Sequence, residues 1–276
     1  PDPRMLVVAL MRRWPVVHLD VPGGVVKLPI LGIEPQQALM PLARPELIPF
    51  ARFDIDGTDN IPDTGPAIVV GNHRSYFDPL AMAMMLSKRG RPVRFLGKKE
   101  VFDAPIIGQL AKAVGGIRVE RGTGSDEPLA AAARALEAGE VVSLMPEGTI
   151  PRGPAFFDPV LKGRWGAAKL AAMTGAPVIP VGLWGTEKVW PRSERLPNLL
   201  AIRNPPTVRI RVGRPVEGLS GESHDADTKK IMKAISAMLP AEARKKRTFT
   251  DEELARTYPG GKVAATDESR RRPGSD

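Results

Sequence analysis

The chain has 276 residues, enough to bury one sizeable core with or without a small appendage. It contains no cysteine, which excludes disulfides, thiolate nucleophiles and cysteine metal sites. The net charge of +9 calls for an acidic partner, and with aromatics at only 5% and no zinc-finger or stacking motif, an anionic membrane surface or a phosphorylated substrate fits it better than nucleic acid.

Residues 1–50 read as an irregular, proline-punctuated lead-in. Its apolar run from Met5 to Leu10 stops at Arg12-Arg13, and prolines at 15, 22, 29, 35, 41, 45 and 49 follow. No spanning helix is expected there, since one needs about 20 apolar residues without regular breaks. No small-residue cleavage site marks a signal peptide. Leu39, Met40, Leu42, Leu47, Ile48 and Phe50 either pack on the domain or touch a membrane. An α/β domain is expected over 51–240. Val/Ile-rich strands at 67–70, 93–97, 116–120, 141–145, 178–183 and 207–212 alternate with helical stretches at 79–88, 106–114, 127–138 and 166–174. Short continuous apolar strands between helices predict a mostly parallel sheet with helices on both faces. A further helix is expected at 228–239. The charged, Gly- and Pro-rich stretch 241–276 reads as a disordered tail.

The segment Gly71-Asn72-His73-Arg74-Ser75-Tyr76-Phe77-Asp78-Pro79 stands where the first of these strands meets its helix. With only three histidines in the chain, His73 is the leading candidate base near neutral pH. On one regular helix, two residues five apart sit about 140° around the axis from each other, so His73 and Asp78 meet only if His73 lies in the preceding turn. Asp78-Pro79 suits a helix start, and Ser75 with Asp78 fits a capping box. Asp78 then either orients His73 or merely caps the helix. His18 and His224 have no ligand pattern around them, and no metal or cofactor is expected. Met82, Met84 and Met85 read as core filler, and Trp165, Trp184 and Trp190 as ordinary packing or else as the lining of an acyl groove or a lipid interface.

Three later segments place polar residues at strand ends or helix starts: Val119-Glu120-Arg121, Pro146-Glu147-Gly148-Thr149, and Lys162-Gly163-Arg164 before Gly166-Ala167. Together with Val178-Ile179-Pro180-Val181, the ordered set His-x4-Asp, Val-Glu-Arg, Pro-Glu-Gly-Thr and Val-Ile-Pro-Val resembles the four blocks of the glycerolipid acyltransferase superfamily. The nearest branch is that of the bacterial 1-acyl-glycerol-3-phosphate acyltransferases. The likeness spans residues 67–185.

The resemblance implies that His73 is the base and Asp78 its orienting carboxylate. It implies that Arg121 binds the acceptor phosphate, that Glu147, Gly148 and Thr149 shape the acceptor site, and that Pro180 is structural or lines the acyl site. Arg164 takes a basic position commonly held by Lys. Where the family often continues Glu-Gly-Thr with Arg-Ser, this chain has Ile150-Pro151, which opens the identity of the acceptor. From the residues alone, Arg121 is also readable as a solvated strand-end cation, Glu147 as a buried group satisfying loop amides, and Gly148 as a positive-φ turn. The implied reaction joins a fatty acyl group from acyl-CoA or acyl-carrier protein, a co-substrate, to a lysophospholipid hydroxyl. It proceeds by direct attack at a membrane's cytoplasmic face, with helix-start amides holding the oxyanion. No Gly-x-Ser-x-Gly elbow surrounds Ser75 to support a serine hydrolase. A different lysophospholipid or glycolipid acceptor, or a non-catalytic basic lipid-binding module, are the competing readings.

Overall fold

The computed structural model describes residues 16–21, 24–29, 43–103, 116–119 and 126–262. Within the stretch expected to be irregular, Val16–Val21 (β1) and Gly24–Pro29 (β2) pair as an antiparallel hairpin. This correction has a local cause: Val16, Val17, Val21, Val25 and Val26 favour the extended chain, and Pro22 and Gly23 stand between the two runs.

Seven strands form the main sheet: Arg52–Asp56 (β3), Ala67–Gly71 (β4), Val93–Lys98 (β5), Ile117–Val119 (β6), Val141–Leu144 (β7), Val178–Trp184 (β8) and Thr207–Val212 (β9). Their spatial order is β3-β9-β8-β4-β7-β5-β6. All neighbours run parallel except β8 and β9. The helices are Asp78–Lys88 (α1), Lys99–Asp103 (α2), Glu127–Glu137 (α3), Gly166–Thr174 (α4), Thr186–Val189 (α5), His224–Ala237 (α6) and Asp251–Arg256 (α7). The expected helix 106–114 lies outside the described residues.

Every residue of β4 and β7 is buried, as is all of β8 but its last, which is why these strands read as unbroken apolar runs. Side chains of β4 alternate between two cores. Ala67 and Val69 pack with Ala81, Met82, Met85 and Leu86 of α1, while Ile68 and Val70 pack with Leu136 of α3, Leu170 of α4 and Ile231 and Ile235 of α6. Helices therefore cover both faces, and the methionines of α1 are core. The edge strand β3 was not expected. It alternates charged Arg52, Asp54 and Asp56 with Phe53 and Ile55, a half-buried pattern unlike the central strands.

β4 sits at the centre, with β7 on one side and β8 on the other. The chain leaves β4 through α1 toward β5 and later returns across it, from β7 through α4 to β8. The carboxyl end of β4 is thus the point where the strand order reverses, and ligands of open α/β sheets bind in that crevice.

The C-terminal region needs two corrections. Helix α6 starts earlier than the expected 228 because Ser223 caps it, its side chain accepting from Ala226 N–H, with Asp225 and Asp227 in the first turn. The stretch after 241, expected to be disordered, is folded as far as 262. Thr250 and Glu253 form a capping box for α7, and Thr257 and Tyr258 are buried. Ionic residues dominate its composition, but Phe249, Thr257 and Tyr258 anchor it. Among the described residues, no helix is long and apolar enough to cross a membrane.

Candidate active site

The sheet opens immediately past β4. Asn72, buried, bridges the gap to β8 by mimicking a strand: its Nδ2–H donates to Leu183 O at 2.9 Å, and its Oδ1 accepts from Leu183 N–H at 2.7 Å. This tie fixes where the next residue, His73, leaves the sheet.

His73 lies in the turn before α1, as its pairing with Asp78 requires. Its Nδ1 is 2.8 Å from Asp78 Oδ2; the imidazole is 19% exposed and the carboxylate fully buried. The same Oδ2 accepts from Arg74 N–H at 2.6 Å and from Ser75 N–H at 2.7 Å. A carboxylate with several donors on one oxygen is held rigidly, and it holds the ring in turn. With Nδ1–H donating to Asp78, Nε2 carries the lone pair. The capping box is half formed: Ser75 N–H reaches Asp78, but Ser75 Oγ accepts from Phe77 N–H, not from Asp78 N–H, and donates to Trp190 O at 2.6 Å. The helix accordingly begins at Asp78 itself, in position N1, with Pro79 directly after it.

Glu147 comes from the turn after β7. Its Oε1 accepts from His73 N–H at 2.7 Å, and the side chain is buried. Burial pushes its carboxyl up to about 8; the His73 amide and the Arg74 charge pull the other way, while the Asp78 charge adds to the rise. Glu147 thus braces the His73 turn against the β7 turn. Gly148 supplies the bend with φ of 69° and donates its N–H to Met145 O at 2.9 Å. These contacts commit the amides of His73, Arg74, Ser75 and Phe77, which removes them from the oxyanion role expected for the helix start.

A cleft of about 710 Å³, open to solvent, lies over His73. Arg74 forms one side. Its guanidinium is clamped between the Phe156 and Trp184 rings, each centroid 4.2 Å from Cζ, and pairs with Glu187 through two contacts of 3.2 Å. Pro151, Phe157 and Lys162 come from the β7–α4 connection. The opposite wall is the segment following α6, with Leu239, Lys245 and Arg247. That segment is pinned in place: Phe249 stacks on Phe157 at 4.4 Å, Arg247 lies over the same ring and pairs with Glu253, and Gly153 N–H donates to Thr257 Oγ1 at 2.7 Å. Gly153, at φ of 56°, has no room for a Cβ because the Tyr258 hydroxyl occupies the space. Lys162 and Lys245, neither with an ion-pair partner among the described residues, both line the cleft that holds the histidine, as do Asp158 and Glu242.

The structure thus brings together His73, Asp78 and Glu147. Thr149 and Gly148 are half-buried in the turn beneath the cleft and do not line it. Arg164 donates its backbone N–H to Pro146 O at 2.8 Å, tying α4 to the Glu147 turn, and Lys162 is the cation of that segment which lines the cleft. Pro180 is buried within β8 opposite Val70, away from the cleft. His224 opens α6 at the opposite edge of the sheet. Arg121 lies outside the described residues. Sequence reasoning gave no role to Arg74 and its clamp, to Lys162 or to the C-terminal wall; Arg74 had a signal in its place inside the His-x4-Asp block, and Lys162 in the Lys162-Gly163-Arg164 segment.

Residues 52–184 match the acyltransferase family model. The chain is 29% identical over 175 residues to the chloroplastic 1-acyl-sn-glycerol-3-phosphate acyltransferase BAT2 of Brassica napus, a match covering 62% of this chain and 47% of that one. It is 32% identical over 148 residues to an uncharacterised protein of Mycobacterium tuberculosis, covering 51% of this chain and 39% of the other. The chain spans about half the length or less of these curated relatives. The fold is similar to the crystal structure of the 1-acyl-sn-glycerophosphate acyltransferase PlsC from Thermotoga maritima, with a TM-score of 0.54 and 21% identity, covering 75% of this chain and 78% of that one. The matched stretch runs from β3 to the end of β8 and contains His73, Asp78 and Glu147, and over it the chain is similar to the acyltransferase family.

Proposed function

We propose that the protein transfers a fatty acyl chain from an acyl thioester, acyl-CoA or acyl-carrier protein, to the free hydroxyl of 1-acyl-glycerol-3-phosphate, giving phosphatidic acid. The observation that carries this reading is the His73–Asp78 pair, locked by two amides, at the floor of a cleft with lysines on its walls.

The chemistry follows from that geometry. Asp78 holds Nδ1–H, so Nε2 takes the proton from the acceptor hydroxyl as its oxygen attacks the thioester carbonyl. The C–O bond forms, the tetrahedral intermediate collapses with cleavage of the C–S bond, and the imidazolium returns its proton to the departing thiolate. No covalent acyl-enzyme is required. Lys162, Lys245 and the sequence-expected Arg121 hold the acceptor phosphate. Arg74, held between two rings and paired with Glu187, keeps the wall beside the histidine rigid. The enzyme works peripherally, at the cytoplasmic face of a membrane.

A second reading keeps the chemistry and changes the acceptor to another lysophospholipid or a glycolipid. Ile150 is buried and Pro151 lines the cleft, so the loop after Glu147-Gly148-Thr149 gives no cation at these two positions. An assay of purified protein crossing acyl-CoA and acyl-carrier-protein donors with several acceptors separates the two. Preference for 1-acyl-glycerol-3-phosphate supports the first; turnover confined to a phosphate-free acceptor overturns it, and no transfer with any pair overturns both.

A further inference from the structure

The large apolar side chains that the described residues expose are gathered at one edge of the sheet. The connection from α5 to β9 leaves the carboxyl end of β8 and enters β9, which runs back antiparallel, so it lies entirely at the edge that holds His73. There Leu196, Leu199, Leu200 and Ile202 are 70%, 51%, 89% and 57% exposed. Leu47 precedes β3, which is parallel to β9 and begins at this edge too. Tyr76 and Leu80 flank the start of α1, and Val160 and Trp165 lie between β7 and α4, all at the same edge. Among the described residues only Met173, near the far end of α4, is exposed at the opposite edge. Ordinary surfaces scatter such side chains; a concentration on one face marks a contact surface.

Two features of the 196–202 loop choose its occupant. Its backbone donors from Asn198 to Ile202 are satisfied within the protein. Asn198 N–H bonds Val189 O, Leu199 N–H bonds Pro197 O, Leu200 N–H bonds Asn198 Oδ1, Ala201 N–H bonds Asn198 O and Ile202 N–H bonds Leu200 O. A loop whose N–H groups are already bonded loses little on entering an apolar phase. The apolar run is also bounded by two exposed cations, Arg195 and Arg203, neither with an ion-pair partner among the described residues. Apolar tips between basic residues match the acyl boundary and the phosphates of an anionic bilayer. A fringe assembled from several separate connections suits a lipid surface better than a protein groove.

We propose that the chain docks on an anionic phospholipid bilayer by the carboxyl edge of its sheet. Leu196, Leu199, Leu200 and Ile202 enter the boundary between headgroups and acyl chains, and Arg195 and Arg203 rest among the lipid phosphates. This deepens the acyltransferase reading and rests on it, because Val160 belongs both to the exposed fringe and to the cleft, so a lipid acceptor passes from the bilayer to His73 without crossing water.

The test is partition of the full chain onto phosphatidylcholine vesicles with and without phosphatidylglycerol, measured with no acyl donor present. The Leu199→Asp/Leu200→Asp double variant should lose binding about tenfold or more, whereas Met173→Asp should bind as the parent does. Arg195→Ala and Arg203→Ala should each weaken binding about fivefold on anionic vesicles alone. A Leu200→Trp variant should show blue-shifted emission when anionic vesicles are added. Unchanged partition of the double variant, or Leu200→Trp emission that stays at its aqueous position, overturns the proposal. So does a concentration-dependent dimer that the double aspartate variant dissolves, since a second copy would then cover this face. Turnover of a short-chain acceptor below its micelle concentration reads the chemistry separately, so failure of docking and failure of the acyltransferase reading are told apart.

Discussion

Replacing Glu147 with Gln should remove a pH dependence of stability that this one side chain imposes. The buried carboxyl holds its proton up to about 8, against an ordinary value of 4.5. Between those values the folded chain is protonated at this site and the unfolded chain is not, so unfolding releases a proton and stability falls as pH rises. One pKa unit corresponds to about 1.4 kcal/mol, which gives a cost of about 3 kcal/mol at pH 7 and about 4 kcal/mol by pH 8, levelling off above. Gln keeps the carbonyl oxygen that accepts from His73 N–H and carries no charge at any pH. The lowered carboxyls do not obscure the window. Asp54 is held down by its hydrogen bond from Arg211, Asp227, against its desolvation, by the Gly221 and Ser220 amides, and Glu253 by the Thr250 amide and then Arg247; what each contributes to stability is lost as pH falls, on the acid side of this window. Urea unfolding of parent and Glu147→Gln from pH 5 to pH 8.5 should give curves that start close together and diverge by a few kcal/mol, with the variant more stable at the alkaline end. Parallel curves would refute the placement of Glu147 as a buried, desolvated brace.

Three other expectations follow from named contacts. Asp78→Asn replaces the acceptor that Nδ1–H and two amides share, and should lower kcat by about 10²- to 10⁴-fold with little change in acceptor KM; a rise in acceptor KM alone would contradict the orienting role. Lys162→Ala/Lys245→Ala should raise KM about tenfold or more for a phosphorylated acceptor and far less for one lacking phosphate, as steady-state kinetics with both acceptors would show. Asn72→Ala removes the paired hydrogen bonds to Leu183 and leaves a buried amide and carbonyl unpaired, so thermal unfolding should register a loss of about 1–3 kcal/mol, together with slower turnover.

How far the sequence spoke depended on the distance between partners. The central strands were legible because β4, β7 and β8 are buried on both faces, and that environment writes itself as uninterrupted Val and Ile. β3 was not, because an edge strand with Arg52, Asp54 and Asp56 looks like loop when only apolar runs are sought. His73 and Asp78 were legible because both lie in one turn. The role of Glu147 was only half legible: its loop was recognisable, but the residue whose amide it accepts lies 74 positions earlier. The Arg74 clamp draws Phe156, Trp184 and Glu187 from separate parts of the chain, and only the strand order reveals that they share an edge. The C-terminal wall was misread because its surface is ionic, while its anchoring depends on a few side chains, Phe249, Thr257 and Tyr258, that composition dilutes.

The most direct test is the rate of thioester-dependent acyl transfer by His73→Ala beside the parent, under saturating donor and acceptor. Loss of a positioned general base predicts a fall of about 10²- to 10⁴-fold with the fold intact by circular dichroism. A His73→Ala enzyme that transfers acyl groups at the parental rate would contradict the account.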